Sequence, residues 1–117
     1  MKTIERGEAS EKFACKYLTD RGLKLVVANY HSRFGEIDLV MLDHDVLVFV
    51  EVRYRRSSNF GGAATSVTTA KQRKICLTAE QFLQKNKKTN TVCRFDVVAL
   101  GESETQWIKS AFDAPYS

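Results

Sequence analysis

A chain of 117 residues suits one domain with a single modest core, and 44% hydrophobic with 27% charged residues is an ordinary globular balance. One proline and six glycines exclude collagen-like and Pro/Gly-rich disordered classes. The net charge is +4, and its distribution is uneven: ten basic residues and one acid, Glu80, lie between Arg53 and Arg94, so that segment carries +9 and the remainder −5. Such polarity suits a polyanionic partner, although a solvated lysine-rich helix face explains charge alone about as well.

No apolar run approaches the roughly 20 residues that a membrane-spanning helix needs. The longest, 46–50, is strand-sized. The opening Met1-Lys2-Thr3-Ile4-Glu5-Arg6 lacks the apolar segment of a signal peptide, so a cytoplasmic protein without membrane association is expected. Three cysteines (Cys15, Cys76, Cys93) without close spacing suggest neither disulfides nor a zinc knuckle. They read as buried or half-buried free thiols.

In chain order, residues 4–21 read as a helix, with Ala9, Phe13, Ala14, Tyr17 and Leu18 at helical spacing and Gly22 where a C-terminal glycine belongs. A short strand over 23–29 and a basic connection over 30–34 follow. Residues 36–42 and 46–54, rich in β-branched side chains, read as two strands joined by a tight turn at Asp43-His44-Asp45. Residues 55–67, with Ser57-Ser58-Asn59 and Gly61-Gly62, form a loop of a length that is often functional. Thr69 and Gln72 have capping-box spacing. They open a second helix with an apolar stripe of Ile75, Cys76, Ala79, Phe82 and Leu83. A strand over 91–100 places Cys93, Phe95, Val97 and Ala99 on one face, and 106–112 reads as an edge strand. A helix between strands implies a crossover and a parallel pair, so the fold class is α/β, a mixed sheet flanked by helices. One domain spans 1–117, with a tail over 112–117.

The informative segment is Gly35-Glu36-Ile37-Asp38-Leu39 followed by Phe49-Val50-Glu51-Val52-Arg53. Positions 46, 48, 50 and 52 are all valine, whereas the other face runs Leu47, Phe49, Glu51, Arg53 and turns charged at its end. If His44-Asp45 is a two-residue turn, Asp38 faces Glu51 and Glu36 faces Arg53. Like charges with Cβ atoms roughly 5 Å apart destabilise a strand pair. A divalent cation reverses that sign, and hard oxygen donors so placed suit Mg²⁺ or Mn²⁺. The bland alternative is a semi-buried salt bridge between Glu51 and Arg53 or a nearby lysine.

These two motifs, with Gly7-Glu8-Ala9, Lys71-Gln72-Arg73 and Arg94-Phe95-Asp96-Val97-Val98, resemble the YraN-type branch of the PD-(D/E)XK, or restriction-endonuclease-like, superfamily over about residues 7–112. The resemblance implies an αβββαβ core related to Holliday junction resolvases. It implies Asp38 and Glu51 as metal-binding acids, with Glu8 as a third. Arg53 stands where the family usually has lysine. Lysine can help deprotonate the attacking water, whereas arginine stays protonated. Arg53 is left to stabilise charge on the phosphate, with water acidified by the ion as the nucleophile.

Arg33, Arg55 and Arg56 flank the acids and, with Lys71, Gln72, Arg73 and Lys74, suit contacts to nucleic acid, although Gln72 also serves as a helix cap. Lone His31 and His44 read as exposed, and Trp107 and Phe112 as packing residues. The sequence thus supports a divalent-metal nuclease acting on DNA, in preference to RNA, with branched or processed DNA among its substrates. A non-catalytic nucleic-acid-binding module with a degenerate site is the alternative, and an interaction subunit of a repair assembly is a weaker third reading. A homodimer is compatible with each.

Overall fold

The computed structural model describes residues 3–54 and 67–114. Of the expected loop over 55–67 only Val67 is among them, so Arg55 and Arg56 lie outside the described residues. The elements are α1 (Thr3–Thr19), β1 (Lys24–Ser32), β2 (Gly35–Asp43), β3 (Val46–Tyr54), α2 (Thr69–Lys85), β4 (Cys93–Leu100) and β5 (Thr105–Phe112). The five strands form one sheet in the order β1-β2-β3-β4-β5. Neighbours are antiparallel except β3 and β4, which run parallel across the α2 crossover. The order αβββαβ, plus an edge strand, is that of a restriction-endonuclease-like core. Among the described residues no helix is long and apolar enough to cross a membrane.

Both faces of β3 are apolar, and each helix covers one of them. Val48 and Val50 pack with Ala14 and Leu18 of α1. Leu47 and Phe49 face Ile75, Cys76, Ala79 and Phe82 of α2. Phe49 sits edge-on to Phe82 and stacks on Phe95, which stacks in turn on Phe112 of β5. The three cysteines are free, with Cys76 buried and the other two half-buried.

Local structure departs from the sequence expectation in β1, α1 and the entry to α2. The first strand reaches Ser32 rather than residue 29, because residues 30–32 pair with Ile37, Glu36 and Gly35 of β2. An irregularity between Leu25 and Val27 and a left-handed Asn29 (φ 54°) let the strand twist along its neighbour. The first helix ends at Thr19, and its C-terminus closes through Gly22 (φ 101°), after which Leu23 N–H returns to Leu18 O at 3.1 Å. Phe13, expected in the buried stripe, is 54% exposed and leans on Tyr17 instead. The second helix is capped by Thr68 rather than Thr69: Thr68 Oγ1 accepts from Lys71 N–H at 3.1 Å, and the Gln72 amide donates to Val67 O.

Asp96 fastens β5 to β4 from a fully buried position. Its carboxylate accepts from Arg94 Nε at 3.0 Å, Trp107 Nε1 at 3.0 Å and Ser110 N–H at 2.9 Å, where the ladder between the two strands shifts register. Arg94 Nη2 also lies 2.9 Å from Asp43 Oδ2, an ion pair off the hydrogen-bond direction. Asp96 is therefore a structural acid of the Arg94-Phe95-Asp96 motif. Asp96→Ala would leave a half-buried guanidinium with only its Asp43 contact, and would take the acceptor from an indole N–H and a backbone N–H. It is expected to cost about 3 kcal/mol or more, read as a lower urea midpoint. A midpoint within experimental error of the parent's would show that β5 does not depend on this carboxylate.

Candidate functional site

The turn between β2 and β3 has two residues, His44 taking a left-handed φ of 55° as a tight hairpin demands. Paired residues run from Asp43–Val46 to Leu39–Val50. Beyond Leu39 the partners of β2 are on β1, down to Gly35, while those of β3 are on β4, up to Tyr54. The two strands thus part where Asp38 and Glu51 stand opposite each other. At the fork, Asp38 Oδ2 replaces a missing backbone acceptor and takes the Val52 N–H at 2.8 Å.

Both acids are nearly out of solvent, Asp38 9% and Glu51 6% exposed. They interact electrostatically and through a side-chain hydrogen bond. A third acid joins from α1. It is Glu11, which hydrogen-bonds Asp38 and the side chain of Asn29. Glu8, the expected third acid, is exposed one turn earlier on the helix. The signal for Glu11 was present in the sequence: 11, 14, 15 and 18 have i, i+3, i+4, i+7 spacing with Ala14 and Leu18, so Glu11 is an acid on the buried stripe. Counting Phe13 into that stripe rotated the reading away from it.

Two cations meet the cluster at one atom. Arg53 Nη1 is 3.5 Å and Lys71 Nζ 3.6 Å from Glu51 Oε2. Arg53 comes from β3 itself and Lys71 from the first turn of α2, so side chains from both helical layers reach the fork. Lys71, expected at the phosphate-binding rim, is therefore part of the carboxylate cluster, and the semi-buried salt bridge of Glu51 with Arg53 or a nearby lysine that the sequence offered as the bland alternative is present. Gln72 bonds within its own helix entry. Arg73 and Lys74 are exposed on α2, and Arg33 is exposed at the β1–β2 turn, its guanidinium over the Phe34 ring. Lys74 Cβ lies close to Gly35, which puts α2's first turns beside that basic turn. Glu36 does not face Arg53; it pairs with His31 at 3.3 Å on the exposed rim. His44 is exposed as expected.

Burial, first, and the neighbouring Asp38 charge push the Glu51 carboxyl from 4.5 up to about 7, against the pull of Lys71 and Arg53. The Glu11 carboxyl rises to about 7 by burial and the same Asp38 charge. Asp38 is raised by burial, with the Val52 N–H opposing. Desolvation and mutual proximity thus raise all three carboxyls, Glu51 and Glu11 to about 7. A divalent ion would offset the same repulsion. Among the described residues no group of three or more His, Cys, Asp and Glu side chains is arranged to hold a metal by itself. Two carboxylates suffice for Mg²⁺ or Mn²⁺, which keep several waters, so Asp38 and Glu51 fit a hard ion as donors. Glu11 supports them through Asp38.

The profile of a family described as "Uncharacterised protein family UPF0102" matches residues 10–100. A "UPF0102 protein" of Psychromonas ingrahamii is 48% identical over 109 residues, covering 92% of this chain and 88% of the relative. One of Enterobacter sp. strain 638 is 51% identical over 110 residues, covering 92% and 84%. The "UPF0102 protein YraN" of Escherichia fergusonii is 50% identical over 113 residues, covering 95% and 86%.

The raised carboxyls set a pH dependence. A group whose pKa is raised by folding binds its proton more tightly in the native state, so its contribution is full below about pH 4.5 and is lost as pH rises through about 7. In EDTA the melting temperature should fall across that interval. Glu51→Gln should melt higher than the parent at pH 8 and flatten the slope. A melting temperature that instead rises from pH 4.5 to 7 in EDTA would mean that the cluster is not desolvated as described.

Proposed function

This chain belongs to the UPF0102 family, and from its site we propose that it is a divalent-metal-dependent phosphodiesterase acting on DNA, of the PD-(D/E)XK, restriction-endonuclease-like type. The observation that carries the reading is the meeting of Asp38, Glu51 and Glu11 with Arg53 and Lys71 at the β2–β3 fork. Buried like charges are costly unless a function needs them. Here they stand beside an exposed basic flank, Arg33, Arg73 and Lys74, that suits a phosphate backbone.

Asp38 and Glu51 would hold the ion, Mg²⁺ or Mn²⁺. When bound, the ion would neutralise phosphate charge and lower the pKa of water. Glu11 orients Asp38 through their hydrogen bond, and the Val52 N–H fixes Asp38 Oδ2. Arg53, permanently charged, stabilises negative charge that develops on the phosphate and accepts no proton. Arg33, Arg73 and Lys74 position the backbone without reading sequence. DNA, branched or processed forms included, is the substrate class, and a cytoplasmic location follows from that role.

A second reading has one specific observation in its favour. Arg53 stands at the position where the resembled superfamily uses lysine, which suits a binding module that has lost efficient chemistry. Purified protein incubated with linear, single-stranded and branched DNA, in Mg²⁺, Mn²⁺ or EDTA, separates the two. Metal-dependent cleavage is expected, falling by about 100-fold or more in Asp38→Ala and Glu51→Ala and more modestly in Glu11→Gln. Arg53→Lys should keep or raise turnover, and Arg53→Ala should lower it with metal binding largely intact. Clean preparations that bind DNA yet cleave nothing, as parent and as Arg53→Lys, would establish the binding module instead.

A further inference from the structure

Glu51 Oε2 is shared by two cations at long range, 3.5 Å to Arg53 and 3.6 Å to Lys71. The Lys71 side chain is 40% exposed while Glu51 is 6% exposed, so the lysine reaches from the surface into the fork. Its charge acts on Asp38 as well as on Glu51. Its own backbone is fixed, because Lys71 N–H donates to the Thr68 cap in the first turn of α2. What remains free to move is a flexible four-carbon stem with a compact ammonium at its tip. On the same turn and the next, Arg73 and Lys74 point to solvent.

A divalent ion on Glu51 changes this arrangement. Oxygen ligands lie about 2.0–2.1 Å from Mg²⁺ and about 2.3–2.6 Å from Ca²⁺, so an ion held by Glu51 would set two positive charges a few ångströms from the lysine ammonium. The like charges then repel, unless an anion stands between them. A phosphodiester oxygen is such an anion, and the ammonium needs only a side-chain rotation to reach it.

We propose that Lys71 is an exchangeable counter-ion: it neutralises Glu51 in the free protein, yields that carboxylate to the divalent ion, and transfers to the phosphodiester backbone of the bound nucleic acid. The inference rests on the metal-site reading above and adds a coupling to it. Metal and nucleic acid bind cooperatively, because each removes a penalty that the other faces. By linkage, the factor by which the ion tightens nucleic-acid binding equals the factor by which nucleic acid tightens ion binding. A lysine that merely props Glu51 in place makes the opposite prediction for ion binding when that lysine is removed. The sign therefore distinguishes the two roles.

The test uses Ca²⁺, an oxygen-liganded ion, with calorimetry for ion affinity and fluorescence anisotropy for duplex and single-stranded oligonucleotides. In the parent, Ca²⁺ should tighten oligonucleotide binding by about tenfold, within the usual range of coupling between sites. Lys71→Met, similar in length and uncharged, should bind Ca²⁺ about three- to tenfold more tightly without DNA and lose most of the Ca²⁺-dependent gain. Lys71→Arg should retain most of that gain, and thermal melts should show both variants folded. Weaker or unchanged Ca²⁺ binding by Lys71→Met, or an undiminished gain, would overturn the counter-ion role while leaving the metal site standing. Ca²⁺ binding that survives Glu51→Gln would overturn both. The expected coupling in a protein that cleaves no DNA would uphold the counter-ion role and sink only the nuclease reading.

Discussion

Where β2 turns towards β1 and β3 towards β4, two strands that are hydrogen-bonded neighbours part, and the Asp38 carboxylate takes the Val52 N–H left at the fork. The rest of the site depends on that one substitution of a side chain for a backbone carbonyl. It satisfies a donor that would otherwise be orphaned, and it pins Asp38 beside Glu51 despite their mutual repulsion. It also opens the sheet, so that Glu11 from one helical layer and Lys71 from the other can meet acids that an unbroken ladder would have separated from them.

The cost of assembling three carboxylates is offset by packing elsewhere. The Phe82–Phe49–Phe95–Phe112 series links α2 to the edge strand, and valines at 48 and 50 seat α1 through Ala14 and Leu18. The other buried acid of the sheet shows the contrast. Asp96 meets an arginine, an indole and a backbone N–H and holds the edge strand in place. Glu51 stands beside Asp38 and is met at long range by two cations that also face solvent. A satisfied buried acid stabilises; a cluster of under-satisfied acids whose carboxyls are all raised by desolvation is suited to a cation. The same residue type thus serves structure on β4 and a candidate site at the fork.

Charge on this surface is layered in the same way. Glu36 and His31 form an exposed pair at the rim, and Arg33, Arg73 and Lys74 flank it in solvent. Exposed pairs of that kind contribute little to stability, so the basic flank is better understood through what it attracts than through what it holds. Within the basic segment from Arg53 to Arg94, Arg73 and Lys74 belong to this flank, Arg94 pairs with the buried Asp96, and Arg53 and Lys71 stand at the fork.

The sequence by itself determined the element order and the faces of the strands. It offered the register of the central hairpin only on condition of a two-residue turn at His44-Asp45; the structure has that turn, and a period of two then stands Asp38 opposite Glu51. The sequence also located the apolar stripe of α2, because Ile75, Cys76, Ala79 and Phe82 repeat with no competing pattern. Tertiary structure alone decided which turn of α1 meets the fork. That depends on how the helix lies across the sheet, and so Glu11 reaches Asp38 while Glu8 faces solvent and Phe13 is left exposed. It likewise decided that Lys71, fifteen or more residues beyond β3, reaches Glu51. Local periodicity records which side of an element is buried, but contact between side chains so distant along the chain is set by packing in three dimensions.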